Sequence, residues 1–134
     1  MDERVTQVIQ ECVRGSDEGR IAFPEVIGML SAAGIERYYA DLQRAETTFY
    51  LPSGESCIVG SEKISTRPPD AFDPSGVEAA IRAAQAKSIG YKEFCDCIAA
   101  AGCVGYLVSL PGRRAVYLGR GGDSFVEPFP PVAS

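Results

Sequence analysis

The chain repeats itself. Residues 23–59 reappear as residues 91–127, displaced by 68 positions without a gap, and eight residues are identical between the two stretches. These are Glu25/Glu93, Ala32-Ala33-Gly34 against Ala100-Ala101-Gly102, Tyr38/Tyr106, Leu42/Leu110, Gly54/Gly122 and Ser56/Ser124. Conservative pairs lie between them: Phe23/Tyr91, Leu30/Ile98, Phe49/Tyr117, Glu55/Asp123 and Ile58/Val126. A match at one fixed period means one supersecondary unit used twice. With 134 residues in all, neither copy buries enough apolar surface alone, so the two are expected to close on one interior. The expected organisation is a single domain, 1–134, with repeat one at 2–59, a linker at 60–72, repeat two at 73–127 and a tail at 128–134.

Within each copy the apolar pattern changes period. Val5, Val8, Ile9 and Cys12 recur at i, i+3, i+4 and i+7, as do Val77, Ala80, Ile81 and Ala84, which predicts an amphipathic helix at the head of each copy. Those stripes align at an offset of 72, which places four extra residues in the polar loop 15–20. Asp73 before Pro74, or Ser75 with Glu78, can cap the second of these helices. Phe23, Val26, Ile27 and Leu30, and likewise Tyr91, Phe94, Cys95 and Ile98, predict a second helix, ended by Gly34 or Gly102 in a left-handed cap. Beyond each glycine the period becomes 2: Tyr38, Ala40 and Leu42 share one face, Arg37, Tyr39 and Asp41 the other, and Val104, Tyr106, Val108 and Leu110 repeat the apolar register.

Turn residues at 43–45 and at Pro111-Gly112, and again near Gly54 and Gly122, introduce two further strands per copy. Each copy therefore reads helix, helix, strand, strand, strand. The predicted fold class is α+β: a tandem duplication forming one antiparallel sheet of about six strands, with helices packed mainly on one face. The linker, with Pro68-Pro69, reads as an extended surface connection, and the proline-rich tail after Glu127 is expected to fray.

Composition removes several function classes. A net charge of −5 gives no general attraction to phosphate backbones or anionic lipid, so neither nucleic acid nor membrane is an expected partner. The charged opening Met1-Asp2-Glu3-Arg4, and the lack of any apolar run near about 18 residues, predict a soluble cytoplasmic protein of bacterial type. Five cysteines, mostly inside apolar patterns, read as reduced buried thiols without disulfides. No histidine is present, which removes histidine-assisted serine and cysteine nucleophiles and the commonest ligand of catalytic zinc. Cys95 and Cys97 point about 200° apart on a helix and cannot chelate one ion there. No cofactor and no metal are expected.

The stretch Tyr91-Lys92-Glu93-Phe94-Cys95, then Ala100-Ala101-Gly102, the strand around Tyr106 and the arginine-led hairpin into Tyr117 resemble the YdfO-like family (domain of unknown function 1398). Gly34-Ile35, Tyr38-Tyr39 and Phe49-Tyr50 are similar to it in the first half. This is a family of small bacterial and prophage-borne proteins, some labelled phage envelope protein. The resemblance implies a compact α+β fold and, in some genomes, a prophage association. It brings no activity or catalytic residue.

The residues themselves offer modest candidates. Tyr38 and Tyr106, with Phe49 and Tyr117, recur in register and either fill the core or wall an apolar pocket between the copies. Arg37, Tyr39 and Asp41, with Arg44 beyond them, line the less apolar strand face and offer a polar recognition surface. Arg113, Arg114 and Arg120 cluster at the second hairpin, where guanidinium groups could clamp a carboxylate or phosphate. Glu25 and Glu93 suit the first turn of a helix on dipole grounds alone, unless a pseudo-twofold axis brings them to a shared cleft.

The expected function is a non-catalytic binding or interaction module for a small molecule or protein. Its ligand contacts are drawn from Arg37, Tyr38, Tyr39, Asp41, Arg44, Tyr106, Arg113 and Arg114. The alternative is an enzyme of carboxylate or thiol type using Glu25, Glu93 or Cys95, and a homodimer through the uncovered sheet face is a further expectation.

Overall fold

A computed structural model of the chain describes residues 1–61 and 63–130. The elements run α1 (Glu3–Asp17), α2 (Phe23–Ala32), β1 (Arg37–Asp41), β2 (Glu46–Tyr50), β3 (Ser56–Gly60), α3 (Pro74–Gln85), α4 (Tyr91–Ala100), β4 (Cys103–Ser109), β5 (Arg114–Gly119) and β6 (Ser124–Pro128). The strands form one antiparallel six-stranded sheet in the order β3-β2-β1-β4-β5-β6, so two three-stranded meanders join at β1 and β4. The predicted α+β fold with six antiparallel strands is the one observed.

The register at that joint fixes the symmetry. Tyr39 pairs with Leu107, its own counterpart 68 positions on, while Tyr38 pairs with Val108 and Ala40 with Tyr106. A pseudo-twofold axis perpendicular to the sheet therefore passes through the Tyr39/Leu107 pair. Joining the meanders here leaves only β3 and β6 as edges, and β6 carries Pro128, which cannot donate to an added strand.

Alternation then sorts the side chains. Tyr38, Ala40, Phe49, Tyr106, Val108, Ala115 and Tyr117 point to the helical side and are buried, together with Ile9, Leu30, Val77 and Ile98 from the four helices. Fully burying a side chain such as Leu30 or Ile98 contributes about 1.5–3 kcal/mol. The other face is open. Its central row crosses all six strands as Ile58, Thr48, Tyr39, Leu107, Val116 and Val126. Ile58 is 63% and Val126 45% exposed. Arg37 and Arg114 lie in the row on one side of it, Asp41 and Glu46 in the row on the other.

Backbone conformation records the duplication independently of side chains. Among the described residues eight have positive φ, and they form four pairs 68 apart: Gly19/Lys87, Gly34/Gly102, Ala45/Arg113 and Gly54/Gly122. Gly34 closes α2 as predicted, with Ile35 N–H on the Leu30 carbonyl at 3.0 Å and Gly34 N–H on that of Ser31 at 3.1 Å.

Three expectations need correction. The copies stay in register at 68 throughout: α1 and α3 end at Asp17 and Gln85, α2 and α4 begin at Phe23 and Tyr91. The buried Ile9 and Cys12 thus correspond to Val77 and Ala80, and the offset of 72 is wrong by one helical turn. The extra length lies at the head of α1, while residues 15–17 belong to the helix. Asp73 does hold the cap position ahead of Pro74, but its side chain makes no capping hydrogen bond. The tail does not fray at Pro128: that residue ends β6, and Phe129 donates its N–H to the Arg113 carbonyl at 2.8 Å and packs edge-on against Phe23 at 5.7 Å, while residues 131–134 of the expected frayed tail lie outside the described residues.

The linker, expected to be extended, carries no helix or strand among its described residues, bends at 65–66 and 70–71, and is tied to the body of the protein. Ser65 donates its N–H to Asp96 at 2.6 Å. Arg120 pairs with Asp70, and Asp73 donates its N–H to Ala101 at 2.8 Å.

Candidate functional site

Where the helical pairs meet over the sheet they leave a cleft of about 1010 Å³. That is at the upper end of the roughly 300–1,000 Å³ of ligand pockets. Its floor is the inner sheet face: Tyr38, Thr47 and Phe49 from the first meander, Tyr106, Ala115 and Tyr117 from the second. Its walls are the turn between α1 and α2, the turn between α3 and α4, and the first turns of α2 and α4, with Phe129 across one end. The space exists because Thr47 and Ala115, small residues at corresponding positions, stand between the larger rings.

The lining obeys the pseudo-twofold axis. Phe23/Tyr91, Glu25/Glu93, Val26/Phe94, Tyr38/Tyr106, Thr47/Ala115 and Phe49/Tyr117 all contribute as pairs, and Ile21/Ile89 does so from the two turns. The aromatic members form one packed group. Tyr38 meets Phe49 at 5.2 Å and Tyr106 at 6.5 Å between centroids, and Tyr106 meets Tyr117 at 5.2 Å. Phe94 reaches Tyr106 and Tyr117 edge-on at 6.4 and 6.2 Å.

The hydroxyls differ between the halves. Tyr106 and Tyr91 are hydrogen bonded to each other at 2.6 Å. Tyr38 and Tyr117 are 6% and 7% exposed and have no hydrogen-bond partner among the described residues. No described side-chain oxygen is both fully buried and unpartnered, so these two hydroxyls open into the cleft they line. Burial pushes the hydroxyl pKa of Tyr38, Tyr91, Tyr106 and Tyr117 upward, which keeps all four neutral near pH 7.

Glu25 and Glu93 both reach the cleft, each in the first turn of its helix and each exposed. Neither joins an ion pair or caps its helix among the described residues. Of the other charges at the rim, Arg20 pairs with Glu18 at 2.6 Å and Glu11 at 3.1 Å and Glu127 with Arg82 at 2.6 Å, while Lys87 joins no ion pair among the described residues.

Thiol chemistry has the opposite setting. Burial pushes Cys95 up to about 12, against a hydrogen bond from the Tyr91 hydroxyl, and pushes Cys12 up to about 11. A nucleophilic cysteine requires a lowered pKa. Cys97 is exposed on the far side of α4, all five thiols are free, and no group of metal-binding side chains occurs among the described residues.

The residues singled out in the sequence divide between two faces. Tyr38 and Tyr106 meet at the cleft. Tyr39, Arg37 and Asp41 lie on the open face, Tyr39 across Gly105. Arg37 pairs with Glu36 and covers the Tyr50 ring at 4.2 Å. Asp41 accepts the N–H groups of Gln43 and Arg44 at 3.1 Å and shapes the hairpin, while Arg44 pairs with Glu46 at 3.2 Å.

The arginine cluster disperses. Arg113 covers Phe129 at 5.3 Å, Arg114 bonds the Gly112 carbonyl at 3.2 Å and Arg120 turns to the linker. Sequence reasoning missed Tyr91 and Phe129 as cleft residues. The Phe23/Tyr91 pairing signalled the first, and nothing in a proline-flanked tail signalled the second.

Fold and cleft together define a class: a duplicated α+β protein with an aromatic cavity on its internal axis. Compared with known proteins, the chain matches no protein-family model and no curated protein. No helix among the described residues is long and apolar enough to cross a membrane.

Proposed function

We propose that this protein is a non-catalytic binding module whose cleft on the pseudo-twofold axis holds one small, largely apolar molecule. The observation that carries this reading is the pair of unpartnered hydroxyls, Tyr38 and Tyr117, on the floor of a cavity whose floor is mostly aromatic and whose charged residues, among them Glu25, Glu93 and Arg20, come from its helical walls. Both hydroxyl oxygens keep contact with the open space of the cleft, so a hydrogen-bond acceptor on a bound molecule can reach them. Kinship with the YdfO-like family is compatible with this reading, and the free thiols suit a reducing cytoplasm.

The test is fluorescence titration with the neutral dye Nile red. Saturable binding at one site per chain is expected, lost in Thr47→Trp, which fills the floor, and in Ala22→Trp at the exposed rim. Binding that survives both substitutions contradicts the reading.

A second reading concerns the open face, where one observation favours a homodimer. The apolar central row is flanked by Arg37 and Arg114 on one side and by Asp41 and Glu46 on the other, although Glu46 and Arg114 occupy corresponding positions in the two copies. A second chain stacked face to face, about a twofold axis parallel to that row, would set each basic flank over the partner's acidic flank. It would also cover Ile58 and Val126. Sedimentation at micromolar concentration is expected to give a dimer, and Leu107→Arg, at the centre of the row, a monomer. A wild-type chain that stays monomeric up to about 1 mM, a contact worth less than about 4 kcal/mol, contradicts the dimer.

A further inference from the structure

The two halves of the cleft are alike in shape and unlike in hydrogen bonding, and the difference specifies a ligand. In the second half the Tyr106 hydroxyl meets the Tyr91 hydroxyl at 2.6 Å. Each of these two hydroxyls has a partner. In the first half the residues corresponding to Tyr91 and Cys95 are Phe23 and Ile27, so the equivalent Tyr38 hydroxyl has nothing in the described protein to bond, although its side chain is more than nine-tenths buried.

Tyr117 repeats the situation on the floor, opposite Phe49. Both hydroxyls are neutral and therefore able to donate. At the rim the charges without an ion pair among the described residues are two carboxylates, Glu25 and Glu93, and one ammonium, Lys87. An anion entering the cleft loses its hydration and meets two unpaired carboxylates against one ammonium.

We propose that the cleft takes an uncharged or cationic molecule with an aromatic body and one hydrogen-bond acceptor, which receives the Tyr38 hydroxyl proton in the first half of the cleft. The proposal rests on the cleft being the binding site and adds the chemical class and orientation of the occupant. The acceptor lies on the Tyr38 side because the Tyr106 hydroxyl already has a partner in Tyr91, whereas the Tyr38 hydroxyl has none among the described residues. The aromatic body lies among Phe49, Phe94, Tyr106 and Tyr117, where ring faces and edges are both available.

The experiment compares Nile red, neutral with a carbonyl acceptor, and anilinonaphthalene sulfonate, an anion of similar ring area, on the full chain. Nile red is expected to bind at least about tenfold more tightly, and the double variant Glu25→Gln, Glu93→Gln to narrow that gap by strengthening the anion. Tyr38→Phe should weaken Nile red by about 3- to 10-fold, the worth of one neutral hydrogen bond.

Phe23→Tyr, at a position 42% exposed and therefore tolerant, restores the missing partner of Tyr38 and should weaken Nile red by a similar factor. Tyr106→Phe should change it by less than about twofold. Equal affinity for the two dyes, or Nile red binding indifferent to both Tyr38→Phe and Phe23→Tyr while Thr47→Trp still abolishes it, overturns the proposal and leaves the cleft standing. Binding that persists in Thr47→Trp and Ala22→Trp removes the cleft itself.

Discussion

Lys87 adopts a left-handed backbone, φ 60°, at the position where the first copy has Gly19 at φ 73°. A side chain there costs roughly 1–2 kcal/mol, of which glycine's own unfolded-state entropy returns a part. Lys87→Gly is expected to stabilise the fold by roughly 0.5–1 kcal/mol and to raise the thermal midpoint by about 2–5 °C. A lower midpoint would mean that the Lys87 side chain holds the turn through contacts worth more than its strain. At this scale the sequence was informative wherever one residue type answers one backbone demand. Gly34, Gly102, Gly54 and Gly122 were identifiable in that way, whereas the strained Lys87, Ala45 and Arg113 carry no such mark.

The order of helices and strands was readable because each apolar period is distinct, yet the register of the first helix was not. A stripe at i, i+3, i+4 and i+7 nearly reproduces itself when moved by one turn, and Val5 to Cys12 meets Val77, Ala80, Ile81 and Ala84 at 72 but Asp73 and Gly76 opposite Val5 and Val8 at 68, so the sequence favours the wrong turn. Packing decides the matter: Ile9 and Val77, both fully buried, occupy equivalent sites. The alternation of the strands likewise told which residues share a face, and put Tyr38 and Tyr106 on the apolar one.

Packing those elements around tyrosines has a consequence in alkali. Tyr38, Tyr91, Tyr106 and Tyr117, on β1, α4, β4 and β5, have hydroxyl pKa values raised chiefly by desolvation, so the folded chain keeps protons that the unfolded chain releases near pH 10. Cys12 and Cys95, pushed up to about 11 and about 12, add to this from about pH 8.5. Where the unfolded state binds fewer protons, stability falls as pH rises. The stabilisation is therefore complete below about pH 8.5 and is lost progressively above it. Denaturant midpoints measured from pH 7 to 11 should be level at first and then decline, and a midpoint that rises or holds to pH 11 contradicts the burial described.

In the whole molecule, duplication makes the site and not only the scaffold. One copy presents half a cleft, open along β1 or β4. Pairing those strands through Tyr39 and Leu107 brings Glu25 to Glu93 and Tyr38 to Tyr106 across a common space. A shared interior was legible from the length of the copies, but the emptiness within it was not, because it depends on how the helical pairs pack over the small floor residues Thr47 and Ala115. For the same reason the candidate ligand residues mixed two surfaces: Tyr38 faces the cavity, Arg37, Tyr39 and Asp41 the open sheet, and one-residue alternation cannot say which surface a ligand prefers.

The measurement that bears most directly on the account is amide chemical-shift mapping during titration with Nile red. Perturbations are expected in both copies at positions 68 apart, around Phe23 and Tyr91, Glu25 and Glu93, and Tyr38 and Tyr106, with Thr48 and Val116 on the opposite face unmoved. Shifts confined to one copy, or centred on the open face around Tyr39 and Leu107, would contradict a ligand site on the internal axis.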